Sequence, residues 1–228
     1  MLIDCHCHSI YSKHWFWGFD SLNTPQEIVK VAVKKGLGGI AITDHNTIKG
    51  SLVARKFAKK YKGFIVITGS EIRTKTGKEV IGLGIKEEIK PNLEFEETVE
   101  KIHEAGGIAV LPHPFGKYIF KRCTEKDAKL VDAIEVFNST LLKIFNEKAS
   151  SFAKKFKKAR TAGSDAHSIK EVGNACIICN GDPIEEIMKG RVKIIGRVTP
   201  FKDIVSLISK KFLRSIEWRI SRTRGKYI

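Results

Sequence analysis

The sequence predicts an α/β fold of βα units, closed as a barrel or spread as a doubly wound sheet. Short, continuously apolar runs alternate with helical patterns almost to the end of the chain, as parallel strands buried on both faces do. Seven such runs fall before residue 165, enough to close a barrel or fill a large sheet. The chain has 228 residues, 42% hydrophobic and 29% charged, which suits a single α/β domain. A chain of that size buries roughly 70% of its unfolded surface and needs no disulfide.

The elements follow in order. Residues 2–8 read as the first strand, and an aromatic loop, residues 11–19, comes next. Thr24 caps a helix that opens on Pro25. Ile28, Val29, Ala32 and Val33 give that helix one apolar stripe, and Gly36 stops it. Residues 39–43 are the second strand, and Leu52 to Tyr61 marks the second helix. Strands follow at 64–68 and 79–85, a helix at 94–105 closed by Gly106-Gly107, and a fifth strand at 108–111. A short helix near 125–131, a strand at 133–137, a helix at 141–158 and a strand at 160–163 complete the repeating part. After residues 175–179 the pattern loosens into a short helix, 183–189, and a long one, 201–224. The long helix carries Phe201, Ile204, Val205, Ile208, Phe212 and Ile216 on a stripe expected to pack on the barrel. The domain division expected is residues 1–200 as the barrel and 201–228 as a basic amphipathic helix.

Lys plus Arg is 41 against 25 Asp plus Glu, a net charge of +16. Residues 191–228 hold 11 of those basic residues and only 2 acids. Such an excess argues for an anionic partner: phosphate, nucleic acid or an anionic surface. No apolar run approaches the ~20 residues of a membrane span, and the first residues lack a signal-peptide pattern. A cytoplasmic protein with five reduced cysteines is expected. Cys5 and Cys7 alternate with His6 and His8, so they read as core thiols on the opposite face of the strand. Cys176-Ile177-Ile178-Cys179 lacks a second pair and reads as strand rather than a zinc knuckle.

The histidines carry the chemistry. His6 and His8 end the first strand, His45 follows the second, His113 the fifth and His167 the seventh. Glu71 follows the third strand, Asp165 the seventh, and Asp44 precedes His45. A lone histidine beside a strand is usually a hydrogen-bonded structural residue. Five at strand ends, with two i, i+2 pairs, converge on the rim where parallel barrels build their sites. Imidazole with carboxylate is the ligand set of Zn, Mn or Fe, and the count exceeds what one ion uses. His103 lies inside a helix and is not expected to ligate.

His6-Cys7-His8, Thr43-Asp44-His45, Glu71, His113-Pro114 and Asp165-Ala166-His167 resemble, in order and context, the motifs of the PHP (polymerase and histidinol phosphatase) family. The resemblance covers residues 1–200. It implies a distorted (β/α)7 TIM-like barrel, two or three divalent metal ions (Zn, Mn or Fe) and phosphoesterase activity. It implies one ion on His6, His8, Glu71 and Asp165, a second on Glu71 and His113, and a third on His45 and His167. His14 resembles an extra first-loop ligand of the third ion. Many members carry a histidine on the fourth strand; Glu79 stands there, either as a carboxylate ligand favouring harder metals or as a surface residue. The candidate catalytic residues are Asp44, His45 and His167, with Asp44 orienting an imidazole or a bound water. Glu135 is expected behind the ligands and Asn138 facing substrate.

The expected chemistry is attack of a metal-activated water on phosphorus, with no Ser or Cys nucleophile. Arg197 and Lys117 are the candidate phosphate cations, and Trp15, Phe16 and Trp17 either stack a base or pack as a lid. The expected partner is a phosphorylated substrate, a nucleotide or a nucleic-acid end acted on by exonuclease or phosphatase chemistry. The alternatives are a small phosphomonoester of the histidinol-phosphate type and a non-catalytic RNA-binding role. The C-terminal helix either packs on the barrel or lies on an anionic surface.

Overall fold

The computed structural model describes residues 1–13, 20–116 and 123–223. Its strands are β1 (Leu2–Cys7), β2 (Gly39–Ile42), β3 (Ile65–Arg73), β4 (Glu79–Leu83), β5 (Ile108–Leu111), β6 (Ala133–Asn138), β7 (Ala159–Gly163), β8 (Ala175–Ile178) and β9 (Lys193–Gly196). Its helices are α1 (Pro25–Lys34), α2 (Lys49–Ala58), α3 (Phe95–Glu104), α4 (Glu125–Leu130), α5 (Lys143–Lys155), α6 (Pro183–Met188) and α7 (Phe201–Thr223). The strands form one sheet in the order β7-β6-β5-β4-β3-β2-β1-β8-β9.

Strands β1 to β7 curl into a nearly closed barrel. At the rim β7 returns to β1: Asp165 N donates to His6 O at 2.8 Å and His8 N to Ala166 O at 2.9 Å. Asp4 sews the seam. Its buried carboxylate accepts from Ser164 N (2.9 Å), Ser164 Oγ (2.6 Å) and Gly173 N (2.8 Å).

The α/β barrel stands as expected, with two corrections to its sheet. The pairs β1–β2, β2–β3, β5–β6 and β6–β7 are parallel, but β4 runs antiparallel to both neighbours. A hairpin at 74–78, with Gly77 at φ 76°, joins β3 directly to β4 with no helix between them. Strand β3 therefore runs on to Arg73 and carries Glu71 inside it, because Gly69 to Arg73 pair with Leu83 to Glu79. The Gly69-Ser70 pair resembles a loop opening, yet Gly69 is inside the strand, where a Cβ would press tightly on Gly82 O at 3.0 Å. Strand β9 escapes the apolar pattern because it is a short, largely exposed edge.

Capping explains which helix starts are legible. Thr24 and Glu27 form a reciprocal capping box on α1, with Pro25 at its first position and Gly36 at φ 76° after it. Helix α2 begins at Lys49 behind Ile48, which offers no side-chain cap, so its first turn leaves no mark in the sequence.

The core lies inside the barrel and between barrel and helices. Ile3, Ala41, Ile81, Leu83, Val110, Ala133 and Ile177 pack together, and Cys5 joins them. Cys7 packs instead with Ile28, Val29 and Ala54 of the helices. The two thiols do not share a face, because the register of β1 against β2 shifts between Asp4 and Cys7. That shift brings His6 and His8 to the rim while Cys5 stays below them.

Helix α7 departs most from expectation. Ile204, Leu207 and Lys211 face the barrel mouth. Phe201 is 77% exposed, and Val205, Ile208, Phe212, Leu213 and Ile216 are also exposed. The expected stripe therefore does not seat as a whole; the turn-spaced set 204, 207 and 211 lines the barrel mouth instead.

Candidate metal centre

Each strand delivers its side chain to the same rim. His6 and His8 come from the end of β1, His45 from just past β2, Glu71 from β3, His113 from past β5, and Asp165 and His167 from past β7. Because β4 is antiparallel, its first residue, Glu79, reaches this rim too. Together with Asp20, Thr140, Glu171, Ile204, Leu207 and Lys211, all but the buried His6 and His8 line a cavity of 260 Å³.

Donor atoms crowd around the inward nitrogens of His6 and His8. His6 Nε2 lies 3.1 Å from His8 Nε2, 3.6 Å from Glu71 Oε2 and 3.6 Å from Asp165 Oδ1. His8 Nε2 lies 3.4 Å from Glu71 Oε2 and 3.3 Å from Asp165 Oδ1. Tetrahedral ligation with bonds of about 2.0–2.2 Å sets ligand atoms roughly 3.3–3.6 Å apart, so His6, His8 and Glu71 fit one ion, and Asp165 Oδ1 stands at the same range from both histidines. Glu71 turns its other oxygen to His113 Nε2 at 2.9 Å. Glu79 approaches both His113 Nε2 and His45 Nδ1 at 3.9 Å. A further group forms where Asp20 Oδ2 meets His167 Nε2 at 2.7 Å and His45 Nε2 at 3.2 Å.

Hydrogen bonds fix which ring nitrogen faces inward. His6 Nδ1 donates to Glu135 Oε1 at 2.9 Å, His8 Nδ1 to Ser12 Oγ at 3.1 Å, and His167 Nδ1 to Asp165 O at 2.8 Å. A carboxylate or carbonyl behind an imidazole sets its tautomer and leaves the other nitrogen's lone pair for a ligand. Glu135 also accepts from His113 N at 2.9 Å and from Asn138 Nδ2 at 2.9 Å.

Charge is balanced tightly here. Burial, and then the neighbouring His167, pushes His8 down to about 3, so its imidazole is neutral at pH 7. Burial works against His6 as a cation, but Glu135, Asp165 and Glu71 hold its pKa well above the ordinary value. His45 is treated alike and rises to about 9 beside Glu71 and Asp20. Against burial, His6 and His45 hold the Glu71 carboxyl well below the usual range, and His167 does so for Asp20. Several carboxylates packed among imidazoles make a site that a divalent cation neutralises.

Backbone strain gathers at the same place. His113 at φ 27° and Asp165 at φ 51° adopt the left-handed region, at a cost of about 1–3 kcal/mol each. Gly163 precedes Asp165 closely, and a Cβ there would strike the Cβ and backbone nitrogen of His6. Only glycine lets β7 lie this close to β1.

Some candidate residues sit elsewhere than the sequence suggests. Asp44 does not line the cavity. Ser9 N and Ser9 Oγ donate to its carboxylate at 2.6 and 2.7 Å, and burial raises its pKa to about 6. It braces the first loop. Asn138 is fully buried and donates to Glu135 and, at 3.3 Å, to Asp165 Oδ2, so it positions carboxylates and does not face substrate. Arg197 is turned away: its Nε donates to Asn174 Oδ1 at 3.0 Å, outside the cavity lining. His14, Trp15, Phe16, Trp17 and Lys117 lie outside the described residues. His103 pairs with Asp132 at 2.7 Å, away from the site.

Asp20, Thr140, Glu171 and Lys211 are site residues that sequence reasoning missed. Thr140 Oγ1 donates to Asp165 Oδ2 at 3.1 Å, and Glu171 Oε2 accepts from His167 N at 2.8 Å. Asp20 had a signal, an isolated acid at the end of an aromatic segment. Lys211 had none, being one basic residue among many on a long helix.

This fold and donor set define a class: α/β barrels whose rim gathers imidazoles and carboxylates for divalent metals. Residues 143–190 match the family model described as PHP-associated. The chain is 45% identical over 146 residues to the uncharacterised protein MJ1587 of Methanocaldococcus jannaschii, covering 61% of this chain and 82% of that protein. A solved two-domain protein of Bacteroides vulgatus, described as containing a predicted PHP-like metal-dependent phosphoesterase, superposes with a TM-score of 0.69 at 17% identity, over 92% of this chain and 69% of its own. A shorter stretch of 69 residues, 30% of this chain, is 38% identical to an error-prone DNA polymerase of Cutibacterium acnes, of which it covers 6%. The chain belongs to the PHP (polymerase and histidinol phosphatase) family.

Among the described residues no helix is long and apolar enough to cross a membrane.

Proposed function

We propose that this protein is a metal-dependent phosphoesterase acting on nucleotides or nucleic-acid ends. The observation that carries the reading is the gathering of Glu71 Oε2 and Asp165 Oδ1 around the paired Nε2 atoms of His6 and His8, at 3.1–3.6 Å. In this reading they hold one ion. Glu71 and His113, with Glu79 beside them, hold a second, and Asp20, His45 and His167 a third. The ions are zinc, manganese or iron. When bound they supply an activated water and take up charge on the phosphoryl oxygens.

The chain's own residues do the rest. Glu135 orients His6 and pins the strained His113 backbone. Asn138 and Thr140 share Asp165 Oδ2, leaving Oδ1 toward the histidines. Asp165 and His167 are thereby held within a rigid turn of β7. The net charge of +16 and the polymerase-like stretch support a nucleotide or nucleic-acid substrate. The cavity of 260 Å³ lies under the roughly 300–1,000 Å³ of ordinary ligand pockets. It favours a small phosphomonoester or a chain terminus over the middle of a polynucleotide.

Metal analysis of purified protein, paired with a panel of an aryl phosphate, nucleotides, histidinol phosphate and short DNA and RNA, tests the proposal. At least two ions per chain and turnover of a nucleotide or a polynucleotide end are expected. Fewer than two ions under metal-replete conditions removes the multinuclear reading. Turnover of histidinol phosphate alone removes the nucleic-acid one.

A further inference from the structure

Helix α7 lies over the metal centre, and its contact there is specific. Lys211 Nζ donates to Asp20 Oδ1 at 3.0 Å, while Asp20 Oδ2 faces His45 and His167. The Lys211 side chain is only 13% exposed. Among the described residues it is the one Lys or Arg that lines the mouth. Everything else polar in that lining is a carboxylate, an imidazole or a hydroxyl. One and two turns before it, Leu207 and Ile204 line the same wall.

The phosphate cations expected from the sequence do not compete for this place: Arg197 is held by Asn174, and Lys117 lies outside the described residues. An ammonium has three donors and no acceptor. One N–H is committed to Asp20, so two remain to face the cavity. Partial burial strengthens what they do, since a cation removed from water binds an anion more tightly.

We infer that Lys211 is the phosphate-recognition residue of this site, and that α7 selects terminal phosphomonoesters over internal phosphodiesters. The inference rests on the phosphoesterase reading and names its substrate class. A terminal phosphate carries close to two negative charges near neutral pH and three free oxygens, whereas an internal diester carries one charge and two. A fixed ammonium beside the centre favours the first. Ile204 and Leu207 give the organic part of the ester an apolar wall.

The test uses the full-length, metal-loaded protein. Lys211→Met is compared with wild type and with Lys211→Arg, after circular dichroism and metal content show the fold and the ions retained. Calorimetry measures binding of inorganic phosphate. Kinetics measure kcat/KM for p-nitrophenyl phosphate and for bis(p-nitrophenyl) phosphate. Loss of one charge-assisted contact should weaken phosphate binding by about tenfold or more in Lys211→Met. The monoester kcat/KM should fall by a similar factor, and the diester value by less than about threefold. Lys211→Arg, which keeps the charge but replaces a point charge by a planar fork, should retain more of the phosphate binding and of the monoester preference than Lys211→Met.

Wild-type phosphate binding in Lys211→Met, or equal losses on monoester and diester, overturns the inference while leaving a phosphoesterase. A wild-type protein that binds phosphate but hydrolyses neither ester removes the phosphoesterase reading, and the binding comparison still decides the role of Lys211. A wild-type protein that binds no phosphate overturns both.

Discussion

The barrel rim and the C-terminal helix solve opposite problems. At the rim His6, His8, Glu71 and Asp165 are at most 1% exposed, and each is held by a strand or a bonded turn. On α7 Val205, Ile208, Phe212, Leu213 and Ile216 are exposed, and Phe201 is 77% exposed. The rim holds its charges by burial and mutual bonding. The helix is tied to the barrel through a few polar contacts, chiefly Lys211 with Asp20, and Lys170 with Asp203 at 3.6 Å. The contrast teaches that ligand geometry here is a property of the closed sheet, whereas selection at the mouth is assigned to an element added afterwards.

Five substitutions, with Leu111→Ala as a core reference, sharpen or break that contrast. The largest effect is expected from Asp165→Asn. It should remove an ion and lower hydrolysis by roughly 10³-fold, the several kcal/mol a metal contributes; full metal content with full activity would show that the rim set is not the centre. Next comes Asp4→Ala. It leaves Ser164 N, Ser164 Oγ and Gly173 N without their acceptor and should cost about 3 kcal/mol or more in urea unfolding. An unchanged midpoint would mean the β1–β7 seam is held by something other than this carboxylate.

Gly163→Ala should destabilise by about 1–3 kcal/mol, because the new methyl meets His6 and the strands must part. Metal affinity should weaken with it, measured by competition with a chelator; unaffected affinity would mean that His6 tolerates the shift. The smallest effect belongs to the helix. Val205→Ser and Ile208→Ser, both exposed, should each change stability by less than about 0.5 kcal/mol, against the roughly 2–5 kcal/mol expected for Leu111→Ala in the core. A large loss at position 205 or 208 would place α7 in the core and abolish the distinction.

Much of the barrel is legible because its signals are local. Thr24 and Pro25 announce α1, and Ile108 to Leu111 is an isolated apolar run between helices that matches β5 residue for residue. The reversal of β4 is not local: Glu79 to Leu83 has the same composition whichever way the strand runs. Its direction follows from the hairpin at 74–78, whose length leaves no room for a crossover. The site was legible in the same measure. Histidines two apart on a strand share a face, so His6 and His8 could be read together. Asp20 stands 147 positions from its partner His167, and Lys211 stands 191 from Asp20. No periodicity joins residues so far apart.

The same division holds for the chemistry. Residue order and composition were sufficient for the α/β class, the barrel rim, the imidazole–carboxylate donor set and the basic C-terminal segment, because each is written in short-range periodicity or in counts. Tertiary structure alone decided that Asp44 and Asn138 brace the site from behind, that Arg197 turns away, and that Asp20 and Lys211 enter it. Those outcomes depend on where a side chain ends once the sheet closes and its polar atoms must find partners. That is a constraint of the whole barrel, imposed by the cost of leaving a buried polar group unpaired.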